Sequence, residues 1–354
     1  MAASADGALL AVPAFHYPHS EPNQEVPWQA FVYLFDSATA RGTVEESSAV
    51  AVVAGAPWGE GCEPCGDAAE QALVLGDVTR DGVDDLALSG TMYTQQEPYD
   101  AGMSWLVPGF GSGGEFDIDE SDRLIEDTFP RMDSFGRSME IADINGDGVG
   151  DLLVTEPRYS EEAEWGDRLY VFAGPITSIP FAEPHITIDG GGIDPSNDLY
   201  FGRELAIGDV TGDGYADVAA SADDDEELYL FAGPVETGTH DDALAVIGAD
   251  GQYIPESLDI AAAGDSTLTG HLVIGDGRAG DAGEGAVYVV PAPFAPRTEL
   301  TLADATFLGE PGSHVGMTVG SLGDADGDGE IDVVARGYDD NARDSLWFLY
   351  SSGR

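Results

Sequence analysis

Hydrophobic residues along this chain fall in short runs of four to eight, bounded by clusters of Gly, Asp, Asn and Pro. The runs at 135–141, 201–207 and 315–321 alternate apolar and polar positions, and each leads into an acidic loop. Behind each loop comes a second apolar run, at 151–154, 217–220 and 332–335. A third run follows at 168–172, 227–231 or 345–350, twice trailed by Ala-Gly-Pro, and a shorter fourth lies at 185–188 or 299–302. Such spacing predicts four short antiparallel strands per unit. No segment keeps a 3.6-residue apolar period over helical length, so a helical architecture is excluded.

The units repeat. Asp143-Ile144-Asn145-Gly146-Asp147-Gly148-Val149-Gly150-Asp151 returns as Asp209-Val210-Thr211-Gly212-Asp213-Gly214-Tyr215-Ala216-Asp217 and as Asp77-Val78-Thr79-Arg80-Asp81-Gly82-Val83-Asp84-Asp85. A fourth copy runs from Asp324 through Asp326, Asp328 and Glu330 to Asp332. Gly82, Gly148 and Gly214 are 66 residues apart each time, and Gly329 stands 115 residues further, close to two repeats. The intervening repeat has strand-like runs at 257–264, 271–275 and 285–290 around a decayed loop at 265–270. A partial copy opens the chain with runs at 8–14 and 30–35. The expected fold is all-β: a single propeller domain over 1–354, of about six four-stranded blades, with an acidic loop between strands 1 and 2. The partial blade covers 1–55, and the repeats cover about 56–126, 127–189, 190–247, 248–303 and 304–354. The opening run at 8–14 matches a second strand and the closing run at 345–350 a third. The missing innermost and outermost strands, and a secretion signal, are therefore expected upstream of Met1, and the ring would then have room for seven blades.

Phe135-Gly136, the loop from Asp143 to Asp151, and the strand ending Thr155-Glu156-Pro157 resemble the FG-GAP repeat of integrin α-subunit propellers. Phe201-Gly202 with the loop from Asp209 to Asp217 repeats the pattern, and His314-Val315-Gly316 is a weaker version. The resemblance implies an extracytoplasmic, cell-surface or secreted recognition and adhesion module rather than an enzyme.

The loop chemistry points to calcium, which takes six to eight oxygen ligands. Side chains at positions 1, 3 and 5 of the loop can converge on one ion, position 7 offers its carbonyl, and the position-9 Asp can close the shell. Glycine at position 6 permits the sharp turn. The expected ligands are Asp77, Thr79, Asp81, Val83 and Asp85; Asp143, Asn145, Asp147, Val149 and Asp151; Asp209, Thr211, Asp213, Tyr215 and Asp217; and Asp324, Asp326, Asp328, Glu330 and Asp332, for up to four Ca²⁺. Acidic turns that merely cap strand ends need no metal; four copies in register favour calcium. An EF-hand is excluded, since position 12 lacks the required Glu and strands flank each loop.

Charge sharpens the picture. The 67 acidic residues face 13 basic ones, all arginine, for a formal net charge of −54. Without lysine there is no phosphate-binding loop lysine, kinase lysine or Schiff base. So negative a field repels nucleic acid and anionic lipid, and suits divalent cations, a high-salt habitat or a calcium-rich exterior. No apolar stretch reaches membrane-helix length. Cys62 and Cys65 form a lone C-x-x-C without the further ligands zinc needs, and read as a local disulfide or two idle thiols.

Antiparallel strands put the 2–3 and 4–1 loops on the face opposite the acidic loops. The long irregular loops there carry Trp28, Trp58, Tyr93, Tyr99 and Trp165, the expected ligand-binding surface for a protein or glycan. Trp105 and Trp347 fall in third strands and are expected in the core. A lectin-like propeller is the alternative, and a polysaccharide-active enzyme a further one. Against catalysis, the six His at 16, 19, 185, 240, 271 and 314 have no metal spacing, and no G-x-S-x-G elbow occurs.

Overall fold

The computed structural model describes residues 2–3, 8–16, 29–38, 45–54, 65–66, 72–93, 101–117, 135–157, 167–179, 184–191, 200–222, 227–248, 256–261, 270–300, 303, 305–325, 331–338 and 344–349. Two compact units divide the chain: Met1–Ala142 with Gly148–Thr187, and Asp143–Asp147 with Ile188–Arg354.

The first unit holds β1 (Ala2–Ala3), β2 (Leu9–His16), β3 (Gln29–Asp36), β4 (Ala51–Ala54), β5 (Cys65–Gly66), β6 (Leu73–Gly76), β7 (Asp85–Tyr93), β8 (Ala101–Val107), β9 (Gly114–Asp117), β10 (Met139–Ala142), β11 (Asp151–Glu156) and β12 (Arg168–Phe172). Strands β1, β2, β3 and β4 form an antiparallel meander, and β9 adds to β4 in parallel. Strand β7 is flanked by β6 and β8, with β5 pairing its far end, and β10-β11-β12 form a further meander. Strand β13 (Ile186–Asp189) runs out of this unit.

In the second unit lie β14 (Phe201–Gly208), β15 (Asp217–Ala222), β16 (Glu227–Phe231), β17 (Gly238–Thr239), β18 (Ala245–Gly248), β19 (Ser257–Ala261), β20 (His271–Asp276), β21 (Ala286–Pro291), β22 (Arg297–Glu299), β23 (Ala305–Leu308), β24 (Thr318–Gly323), β25 (Asp332–Tyr338) and β26 (Asp344–Leu349). The sheets run β14-β15-β16-β18, β19-β20-β21-β23 and β24-β25-β26. Strand β22 joins β18 in parallel, and the end of β13 pairs with β17 in the same way.

The sequence pattern and the structure agree on the all-β class and on most strands. One assignment shifts. The fourth strand expected at 299–302 is instead β23, while Arg297–Glu299 becomes the parallel addition to β18. Short polar runs at the rim can serve either purpose, and periodicity does not distinguish them. Ala2–Ala3 pairs with Leu10 and Ala11, so the first sheet has a strand ahead of the run at 8–14 within this chain.

Middle strands explain why their sequence does not alternate. Strands β11, β15 and β20 are buried at all six positions, covered on both faces, so Leu152, Leu153 and Val154 are as enclosed as Val218, Ala219 and Ala220. Trp105 lies in the core, and Trp347 packs against a buried cluster of Val273, Val287, Val333 and Ala335. Each of three middle strands also carries a buried hydroxyl four residues after its leading Asp. Ser89 Oγ accepts the N–H of Ala72, Thr155 Oγ1 that of Ser138, and Ser221 Oγ that of Glu204, all at 3.0 Å. The last lies where the β14–β15 register slips between Phe201 and Leu205, so the hydroxyl replaces a ladder bond that the irregularity removes.

Ser221→Ala is therefore expected to destabilise the protein by about 1–2 kcal/mol through the lost acceptor, read from the urea midpoint, whereas Ser221→Thr retains most of the stability.

Candidate functional site

The acidic loops are built around two aspartates that do different work. The position-1 carboxylate is a hub for backbone N–H groups. Asp209 Oδ1 accepts Gly212 N–H at 2.7 Å and Asp213 N–H at 3.1 Å, and Oδ2 accepts Gly214 N–H at 3.0 Å. Asp77 receives Asp81 N–H at 3.1 Å and Gly82 N–H at 2.9 Å, and Asp143 receives Gly146 and Asp147. Position 5 closes a smaller turn: Asp81 Oδ1 accepts Val83 N–H and Asp213 Oδ1 accepts Tyr215 N–H. Position 6 has φ of +84° at Gly82, +81° at Gly148 and +94° at Gly214, with no neighbour within 4 Å of an added Cβ. Backbone conformation, not space, selects glycine there. Position 4 is left-handed as well, at Gly146, Gly212 and, in the first loop, Arg80 with φ +62°.

The position-9 aspartate faces the other way. Asp217 is fully buried; its Oδ2 accepts the N–H of Val210 at 2.9 Å and of Thr211 at 2.8 Å, and its Oδ1 that of Gly233 at 2.9 Å. Asp85 repeats this with Val78, Thr79 and Gly109. Asp151 accepts Gly174 N–H, and Asp332 accepts Ala325 N–H. Each of Gly109, Gly174 and Gly233 follows a third strand, so the loop and the third-strand exit share one end of the sheet. Burial raises the carboxyl pKa of Asp85 and of Asp217, and these N–H donors pull it back in part.

The donor set fits a hard cation: positions 1, 3, 5 and 7 supply only oxygens, and the position-1 and position-5 side chains lie at the surface end of the loop. Three main-chain donors and, at 3.4 Å, the hydroxyl of Thr79 or Thr211 meet the roughly four lone-pair sites of Asp85 and of Asp217. Among the described residues, no three His, Cys, Asp or Glu side chains already converge as a metal-holding group. Asp326, Asp328 and Glu330 lie outside the described residues, as do Trp28, Trp58, Tyr99 and Trp165. Tyr93 ends β7, where its backbone pairs with Cys65.

The opposite ends of the strands hold acids that the sequence does not distinguish from the surface. Glu156, 1% exposed at the end of β11, accepts the phenol hydrogen of Tyr170 at 2.6 Å. Burial first, and then the Glu156 charge, raise the Tyr170 pKa. Asp276 ends β20, 2% exposed. In a chain with 67 acids, only strand register could have singled these out.

The FG-GAP repeat family matches residues 135–172 and 201–235, the segments that hold two of the aspartate-hub loops. The chain carries FG-GAP repeats. Human integrin alpha-IIb is 38% identical over 97 residues, 25% of this chain and 9% of that protein. Rat integrin alpha-7 is 29% identical over 199 residues, 54% and 16% respectively. Human phosphatidylinositol-glycan-specific phospholipase D is 29% identical over 153 residues, 42% and 18%. The chain thus spans less than a fifth of these relatives' length. Among solved structures, the periplasmic gluconolactonase of Pseudomonas aeruginosa aligns with 99% of this chain and 87% of its own at a TM-score of 0.40 and 12% identity. A rhamnogalacturonan lyase aligns with 97% and 64% at 0.41 and 12%.

Two substitutions separate the roles of the loop positions. Asp217→Ala leaves three main-chain donors without their acceptor and should cost on the order of 3–5 kcal/mol in metal-free urea unfolding. Asp213→Ala, which removes one exposed turn bond, should cost about 1 kcal/mol or less under the same conditions. Arg80→Gly relieves a left-handed backbone and should raise stability by about 0.5–1 kcal/mol, checked by the thermal midpoint.

Proposed function

We propose that this chain is a calcium-stabilised, extracytoplasmic ligand-binding propeller of the integrin-α type, built of about six four-stranded blades. The observation that carries it is the aspartate hub with its position-6 glycine, repeated at the same place in successive sheets of a chain that carries FG-GAP repeats. In this reading Asp77, Thr79, Asp81 and the Val83 carbonyl would hold one ion; Asp143, Asn145, Asp147 and the Val149 carbonyl a second; and Asp209, Thr211, Asp213 and the Tyr215 carbonyl a third. Asp324, Asp326, Asp328 and the Glu330 carbonyl would hold a fourth. Asp85, Asp151, Asp217 and Asp332 would close the loops from the inside, anchored by main-chain N–H groups. Bound calcium would draw the hub and turn carboxylates together and stiffen one end of each sheet that carries such a loop.

Recognition is assigned to the opposite loop face, with Trp28, Trp58, Tyr93, Tyr99 and Trp165 as its aromatic contacts, and to a protein ligand on the strength of the integrin similarity. A secreted or cell-surface location follows from the same similarity; no helix among the described residues is long and apolar enough to cross a membrane. A glycan ligand is the alternative. Purified chain offered to a glycan array and to extracellular proteins, with and without calcium, separates the two. Turnover of a polysaccharide or a glycosylated phospholipid would replace the binding reading with an enzymatic one.

Extracellular sites of this oxygen-rich kind bind calcium at roughly 10⁻⁴–10⁻³ M. At about 100 times the dissociation constant each site should add about 2.7 kcal/mol to the folded state. The melting temperature is expected to rise with calcium and fall with chelator, by less in Asp213→Ala than in the wild type. A melting temperature indifferent to both reagents would refute the calcium assignment.

A further inference from the structure

One place away from the acidic loops holds more buried negative charge than positive. Asp276, at the end of β20, accepts the backbone N–H of Arg278 on Oδ1 at 2.9 Å; its Oδ2 is buried without a donor. Glu256, just ahead of β19, meets the Nε of the same arginine through Oε1 at 2.7 Å, and its Oε2 is likewise buried without a donor. That Oε2 stands 2.5 Å from where a Cβ on Gly277 would be, one residue beyond Asp276. Arg278 thus fixes both carboxylates, one through its main chain and one through its guanidinium, and leaves one oxygen of each undonated.

Two carboxylates against one half-exposed guanidinium leave one negative charge uncompensated among the described residues, with the free oxygen of each carboxylate buried. Among the described residues no second guanidinium meets either carboxylate. Tyr288 on β21 is neutral, its phenol raised by burial and then by the Asp276 charge. His314 uses Nδ1 on the Gly277 carbonyl at 3.0 Å, and the Met317 sulfur lies against Gly277. A buried charge of this kind is tolerated only when a counter-charge or a proton joins it.

We propose that Asp276 Oδ2 and Glu256 Oε2 form a site for one small monovalent cation, a proton or an alkali-metal ion. A divalent ion fits poorly, because one net negative charge would have to offset two positive ones and no third acidic, His or Cys side chain converges here among the described residues. Burial first, with the Glu256 charge adding to it, moves the Asp276 carboxyl up to about 6. The folded state therefore holds the proton more tightly than the unfolded chain. Its stabilisation is full below about pH 4 and is lost as pH rises through about 6; above that an alkali ion can take the proton's place.

Thermal and urea unfolding of the whole chain tests this between pH 5 and 7.5, at one calcium concentration, in sodium chloride and in choline chloride of equal ionic strength. In choline chloride, the folding constant of the wild type relative to Asp276→Asn should fall by about tenfold from pH 5 to the plateau near pH 7. Sodium chloride restoring the wild type above pH 6, but not the variant, identifies an alkali ion; identical curves in the two salts identify the proton alone. Both outcomes support the site. Glu256→Gln removes the neighbouring charge but not the burial, and should move the wild-type profile to lower pH without abolishing it, which covers a poorly folded Asp276→Asn. Wild type and both variants running parallel across pH and in both salts would overturn it.

Discussion

A buried carboxylate that accepts main-chain N–H groups from two separate strand ends is the interaction on which this architecture rests. Asp85 and Asp217 each begin a middle strand, bind the loop that precedes it and hold the glycine that ends the third strand. Three charge-assisted bonds offset the desolvation of one carboxylate, so the same residue fixes where the middle strand starts, how the acidic loop curls and where the next turn departs. The hub aspartate then has only to organise the exposed half of a loop whose base is already set.

This separation explains a tension between charge and order. A chain of net charge −54 would be expected to repel itself out of compact form. Its described acids fall into two groups. Most lie at loops and rims, where water and counter-ions screen them. The few enclosed ones meet N–H donors, arginine or phenol: Asp217 with Gly233, Glu256 with Arg278, Glu156 with Tyr170. The rim carboxylate of Glu227 likewise pairs with Arg297, so with no lysine present it is arginine, with its rigid fork of donors, that meets the acids that need a partner.

Much of the fold was legible because its strand grammar is local. The Asp-Gly loops mark the turns between first and second strands, and the third strands at 168–172 and 227–231 coincide with β12 and β16 to the residue. What was not legible depends on register and on neighbours. The main-chain bonds of Asp85, Asp151 and Asp217 cannot be read locally, because Gly109, Gly174 and Gly233 arrive from about 20 residues away. Arg297–Glu299 reads like any short rim strand; only the chain beside it decides whether it ends its own sheet or extends another. Asp276 and Glu256 are two acids among 67 until β20 and β19 bring them to one arginine.

The parallel additions have a consequence for how the molecule can be divided. Strand β9 follows β8 in sequence yet seals the outer edge of β4, and β22 follows β21 yet seals β18. In these sheets the later repeat lends a few residues to its predecessor, and a structural module ends later than the repeat that encodes it. A fragment cut at a repeat boundary would keep four strands and still expose a bare β-edge, an invitation to sticking that the intact chain does not extend. A piece that keeps such an edge covered must include nearly all of the following repeat, so these units overlap like shingles.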